Sequence, residues 1–321
     1  MSAVDVDEQP LVVRDVSVRF GGLQALAGIE LRVGPGEIVG LIGSNGSGKT
    51  TLVDCISGFV RPEPGSSITA FGTELVGLAP ELRPYARVAR SFQDAKLFPG
   101  LTVEEALLVT MERHIPTRVL SAIVGTSLAR RQERAKRTWA GELIETTGLE
   151  AYREKLVGEL STGTRRVCDL ASILAAQPGL LLLDEPTAGL AQRETEAFAP
   201  LMRRVQAQVG CAILIIEHDM PLICELSDRV YALEAGRVIA EGDPDTVRSD
   251  PHVVASYLGT DAAAIARSGA PTPTSKSKSK NRPTPEPSEE PPMHETTVSD
   301  EHGSARRQPL RARGRAARGR S

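Results

Sequence analysis

Apolar residues in this chain gather in short dense runs separated by polar, helix-spaced stretches, and that order predicts alternating strands and helices. Residues 11–20, LVVRDVSVRF, and 27–33, AGIELRV, cluster β-formers around turn signals and look like antiparallel strands. EIVGLI, Glu37 to Ile42, has the length and apolarity of a buried strand, and the LVDCIS that follows the next loop carries Leu52, Val53 and Ile56 at helical spacing before Gly58. The runs before Asp184 (GLLLLL) and Glu217 (AILII) read as parallel strands buried on both faces. Sites in such sheets lie beyond the carboxyl ends of the strands. From Leu101 to Glu159 the pattern turns helical. TVEEALLVTMERH starts at Thr102 with an acidic first turn, SLARRQERAKRTWAGELIETTGL is long and amphipathic, and Gly148 and Gly158 end the stretch. The expected fold is α/β, a mixed sheet core with antiparallel strands and a helical subdomain over about residues 101–165.

Between the Glu37–Ile42 run and its helix lies GSNGSGKTT: Gly43, Ser44, Asn45, Gly46, Ser47, Gly48, Lys49, Thr50 and Thr51. It satisfies GxxxxGK[ST], and strand, loop and helix stand in the order that motif needs. Glycines 43, 46 and 48 let the backbone turn its N–H groups toward phosphate oxygens, with the helix dipole adding positive potential. Lys49 would reach the β and γ phosphates, and the Thr50 hydroxyl would serve Mg²⁺, a cation that prefers oxygen ligands. A glycine-rich turn that binds nothing is the plainer alternative, and the two correct flanks argue against it. LLLLDEP, Leu180 to Pro186, places Asp184 where it can reach the metal shell and Glu185 where it can polarise a water. In IIEHDM, His218 ends the following strand, with Asp219 as an N-cap candidate and Pro221 as an early helical residue. Ser161 and Gly163 precede RRVCDLASILAA, so a second loop also opens a helix.

Composition changes the domain count. Of 321 residues, 40% are hydrophobic, ordinary for a globular core, yet from about Ala262 the chain is rich in Pro, Ser, Lys, Arg and Glu. Such a segment cannot bury enough surface to offset its entropy, so a folded unit over 8–260 and a disordered tail over 261–321 are expected. A net charge of -3 favours no class of partner. Cys55, Cys168, Cys211 and Cys224 lack CxxC spacing and read as reduced, buried small hydrophobes. No run approaches the ~20 apolar residues of a membrane span, and MSAVDVDEQP has no signal-peptide character.

With these motifs in order, residues 8 to 260 resemble the ATP-binding subunit of an ABC transporter. Phe92 and Gln93 resemble the Q-loop, LSTGT at Leu160 to Thr164 stands in the place of the LSGGQ signature, and His218 occupies the switch position. Phe20 lies where that family stacks an aromatic on adenine. The wording ARSFQDAKLFPGLTVEEALL, DCISGF and DRVYALEAGRVIAEGDPDTVRSDPHVVASYLG is similar to the branched-chain amino-acid importers. The resemblance implies ATP with Mg²⁺ held by Thr50, Gln93 and Asp184, hydrolysis by Glu185, and γ-phosphate sensing by Gln93 and His218. It further implies Ser161 and Gly163 facing a phosphate held by a second subunit. Implied partners are membrane permeases, a second ATPase subunit and, indirectly, a solute-binding protein; the implied place is the cytoplasmic face of the cell membrane. Thr162, Thr164 and Ala191 depart from the family at positions that act across the dimer, which favours a heterodimer with unequal sites over a homodimer. A docking role for Thr117 to Leu128 is expected on a par with plain helix packing. Other readings are another cargo, such as lipid or urea, or a non-transport ATPase acting on nucleic acid or ribosomes. The Arg306–Arg320 tract keeps the last one open, although nucleic acid is the less favoured partner.

Overall fold

The computed structural model describes residues 9–91, 97–112 and 127–257. Two sheets form its frame. The first is antiparallel, in the order β2-β1-β4-β5, from β1 (Leu11–Phe20), β2 (Leu23–Val33), β4 (Ser67–Ala70) and β5 (Thr73–Glu74). The second has six strands ordered β10-β9-β3-β8-β7-β6, with β3 (Ile38–Gly43), β6 (Val88–Arg90), β7 (Leu180–Asp184), β8 (Ala212–Ile216), β9 (Arg229–Glu234) and β10 (Arg237–Gly242). Five run parallel and β10 closes the edge antiparallel to β9. The opening strands pair as expected, although β2 starts at Leu23 rather than at residue 27, because the register continues to Phe20 opposite Leu23.

The apolar runs are continuous because both faces of the second sheet are covered. Val39, Leu41, Leu180, Leu182, Leu214 and Ile216 pack toward the antiparallel sheet and helix α1 (Lys49–Ser57). Their neighbours Ile38, Ile42, Leu181, Leu183, Ile213 and Ile215 join a second cluster with the helices. Those helices are α2 (Val103–Met111), α3 (Ser127–Thr147), α4 (Thr162–Ala175), α5 (Gln192–Val209), α6 (Met220–Leu226) and the short α7 (Pro244–Ser249). α4 packs against both α2 and α3. Helix starts follow their caps: Thr102 and Glu105 form a reciprocal capping box on α2, Ser161 Oγ accepts from Thr164 N–H on α4, and Asp219 Oδ1 accepts from Leu222 N–H on α6. Glu105 is held below the usual carboxylate range because it accepts the Thr102 backbone bond.

The expected tail, Gln93 and nearly all of Thr117 to Leu128 fall outside the described residues. Cys55, Cys168 and Cys211 are buried and all four cysteines are free thiols, while Cys224 is only partly covered. Burial raises the Cys55 thiol to about 12 and those of Cys168 and Cys211 to about 11, so they are poor nucleophiles near neutrality. No helix among the described residues is long and apolar enough to cross a membrane.

Candidate functional site

The glycine loop leaves β3 at a place where side chains do not fit. A Cβ on Gly43 (φ 148) would lie 2.2 Å from the Leu233 carbonyl oxygen, and one on Gly48 (φ 107) would lie 2.8 Å from that of Ala25. Backbone atoms cannot swing aside as a side-chain tip can, so both positions require glycine. Gly48 caps α1 without a side-chain acceptor, which leaves the first N–H groups of that helix available to an anion. The Lys49 ammonium donates to Gly43 O at 2.7 Å and Ser44 O at 3.1 Å. Burial holds it below the usual lysine range, against the opposing pull of Glu185 and Asp184. Ser47 Oγ is buried without a hydrogen-bond partner among the described residues, as a hydroxyl facing a missing oxygen ligand would be.

The acids sit across the sheet at the end of β7. Asp184 is 6% exposed, and its Oδ2 accepts from Arg90 Nη2 at 2.8 Å, while Nη1 of the same guanidinium reaches Asp54 at 2.6 Å. Burial raises the Asp184 carboxyl and Arg90 lowers it, with burial the larger effect. Its other oxygen, Oδ1, is buried and has no partner among the described residues. An orphaned carboxylate oxygen near the phosphate loop suits a cation that also binds phosphate. Among the described residues no group of three His, Cys, Asp or Glu side chains could hold an ion alone.

Glu185 adopts φ 49, a left-handed conformation that costs a non-glycine residue strain. Its N–H donates to Ile216 O at 3.0 Å, and its Oε1 lies 2.7 Å from His218 Nε2. The carboxylate thus faces the histidine across the strand ends. Behind them, buried Glu217 accepts from both the backbone N–H and the hydroxyl of Thr187, at 2.8 and 2.6 Å, and so ties the histidine-bearing turn to the segment after Pro186.

Phe20, Lys49, Thr50 and Glu185 line one cavity of about 480 Å³ together with Asn45, Gly46, Gly48, Thr51, Gln24 and Ala235. Phe20 is 51% exposed at its mouth, open to a flat ring. Ser161 and Gly163 do not join this cavity; they lie at the start of α4. There Thr162 is exposed and Gly163 is buried. A Cβ on Gly163 would meet Glu194 Oε1 at 2.1 Å, and the other oxygen of Glu194 accepts from Ala191 N–H at 3.0 Å. The chain thus brings one set of candidate residues together and holds the other apart.

Sequence reasoning missed Arg90, Glu217 and Glu194. Each acts through contacts distant along the chain, and no local spacing marks them. It also missed Asp169 on α4, which lines a small cavity of about 50 Å³ with Arg166, Asp184, Glu185 and Phe198. Burial pushes the Asp169 carboxyl up to about 6. Raised above its unfolded value, the group favours the fold when protonated, and that contribution is lost as pH rises from about 4 through 6. Asp169→Asn should therefore gain about 1–3 kcal/mol at pH 7.5 and progressively less toward pH 4, in urea unfolding at matched ionic strength.

A phosphate loop and an acid pair at the strand ends of one parallel sheet place the chain among the P-loop ATPases. It belongs, more narrowly, to the ABC transporter family, whose model matches residues 26–188. A second model, described as branched-chain amino acid ATP-binding cassette transporter, matches residues 237–263. The chain is 36% identical over 249 residues to the high-affinity branched-chain amino acid transport ATP-binding protein BraF of Pseudomonas aeruginosa, covering 78% of this chain and 97% of that one. It is 37% identical over 252 residues to LivG of Escherichia coli K12, which has the same description, covering 78% and 98%. Among solved structures, it resembles the ADP conformation of an ATP-binding cassette of an ABC transporter, with TM-score 0.65, 27% identity and coverage of 78% and 99%. It is an ATP-binding, ATP-hydrolysing cassette of that family.

Proposed function

We propose that this chain is the ATPase subunit of an importer for branched-chain amino acids, working on the cytoplasmic face of the cell membrane beneath permease subunits. The observation that carries the chemistry is the single cavity shared by Phe20, Lys49, Thr50 and Glu185. Phe20 stacks the adenine, the loop from Gly43 to Thr51 holds the phosphates, Glu185 orients the attacking water and takes its proton, and Gln93 and His218 sense the γ phosphate. Thr50, Gln93 and Asp184 would hold Mg²⁺, which supplies charge neutralisation at the phosphates when bound. Cargo rests on the descriptions of the relatives.

Thr117 to Leu128 lies almost wholly outside the described residues, and the surface around Phe59 is a second candidate for the permease contact. Phe59, Leu82 and Tyr85 are 56%, 41% and 74% exposed. Phe59 and Arg90 border a groove of about 270 Å³, and the Arg90 guanidinium lies 5.9 Å from the Phe59 ring centre. Pressure on this patch is one side chain away from Asp184.

Separation of Ser161 and Gly163 from the cavity supports a dimer in which each signature loop completes the partner's site. Thr162, Thr164 and Ala191 favour a heterodimer in which the site using Lys49 and Glu185 is the more active. The test is to coexpress the chain with candidate permeases and a second ATPase, then inactivate the catalytic glutamate of each ATPase in turn. Loss of Glu185 should cost several times more ATPase and leucine uptake than loss of its counterpart. Equal costs would sink the asymmetry, and full activity without any second ATPase would sink the heterodimer.

A further inference from the structure

The amide N–H of Gly43, the first residue of the phosphate loop, donates to the hydroxyl of Tyr257 at 2.9 Å, across 214 residues of sequence. The donor comes from the last residue of β3 and the acceptor from a helical segment, 251–257, at the far end of the described chain. Neighbouring Val253, 2% exposed, anchors that segment in the helix-side core, and the Tyr257 ring packs against the same cluster. Burial raises the phenol, so it stays protonated across the physiological range.

Gly43 is held from both sides. Its carbonyl receives the Lys49 ammonium at 2.7 Å while its N–H is held by Tyr257. The ammonium carries three N–H donors, so Lys49 can turn one to a phosphate while it still holds Gly43 O and Ser44 O. The tyrosine hydroxyl is the second side-chain tie on a glycine whose φ of 148 and surroundings leave no room for rebuilding. Tyr257 also lies inside residues 237–263, the stretch matched by the branched-chain amino acid family model, whereas the general family model ends at 188.

We infer that Tyr257 is a positioning residue for ATP binding: its hydroxyl fixes the Gly43 N–H and so keeps the phosphate loop, with the carbonyls that seat Lys49, in shape when the nucleotide binds. This rests on the reading of Gly43 to Thr51 as the phosphate cradle. The ligand concerned is the triphosphate of ATP, and the segment after α7 becomes part of the nucleotide machinery.

The full chain carrying Tyr257→Phe loses one oxygen and keeps the ring. ATP affinity, measured by calorimetry, should fall about fivefold, the scale of one neutral hydrogen bond, and hydrogen exchange at the Gly43 amide should accelerate. A hydroxyl serving only the stability of the fold would lower the thermal midpoint and leave ATP affinity alone. Affinity within twofold of the parent would therefore overturn the inference, whatever the midpoint. Lys49→Ala runs beside it. If that variant binds ATP like the parent, the cradle reading fails and Tyr257 loses its role with it. If only Tyr257→Phe behaves like the parent, the cradle stands and the role of Tyr257 alone falls.

Discussion

Glu185→Gln should bind ATP with affinity within about threefold of the parent and hydrolyse it at least ~100-fold more slowly, the loss typical of removing a general base. The substitution preserves the length of the side chain and an oxygen that can face His218 Nε2, now 2.7 Å from Glu185 Oε1. It removes only the basicity. The left-handed φ of 49 is retained, so the backbone strain is not released. Lys49→Ala acts at the other end of the same cavity and should instead weaken binding, because the buried ammonium is the one positive side chain lining it among the described residues. Equilibrium binding and steady-state turnover in the assembled complex separate the two. If Glu185→Gln turned over within about tenfold of the parent, another group would have to be the base.

The residues that act through their own backbone or through a strand end were legible in the sequence. The order of strand, glycine loop and helix identified Gly43 to Thr51, because that chemistry requires contiguous residues and the spacing is the mechanism. The acid pair after Leu183 and His218 after Glu217 were legible because a parallel strand buried on both faces presents its polar residues only at its end. The remainder depends on pairings that close only in three dimensions. Arg90 sits in the three-residue strand β6, too short to show a period, and its partners lie 36 and 94 residues away. Glu217 looked like a strand-end neighbour of the histidine, yet it is 4% exposed and holds Thr187. At Gly163 no local spacing announced Glu194, whose carboxylate on another helix lies over it. Strands β9 and β10 passed without recognition because RVYALEAGRVIAEG mixes charges into its alternation, some of them inward: Arg229 reaches Glu37 at 2.8 Å and Glu241 at 2.7 Å.

Arg90 carries the second large effect. Its side chain is 10% exposed and spans Asp54 and Asp184, themselves 28% and 6% exposed. A buried ion pair adds little net stability when intact, since desolvation offsets attraction, but removing one partner strands the other's charge at a cost of about 3–5 kcal/mol. Arg90→Gln should therefore destabilise the chain by about 3 kcal/mol in urea unfolding near pH 7.5, a large share of the margin of an ordinary domain. Arg90→Lys keeps the charge without the fork that reaches two carboxylates, and should recover only part of the loss. The double variant Arg90→Gln/Asp184→Asn distinguishes a stranded charge from lost packing. If the charge is the cause, neutralising Asp184 restores much of the stability and the two changes are far from additive. If the double variant is no more stable than Arg90→Gln, packing of the arginine stem is what the site needs. Because the same guanidinium lies against Phe59 on the exposed patch, the charge-stranding outcome would also mean that movement there alters the environment of Asp184 directly.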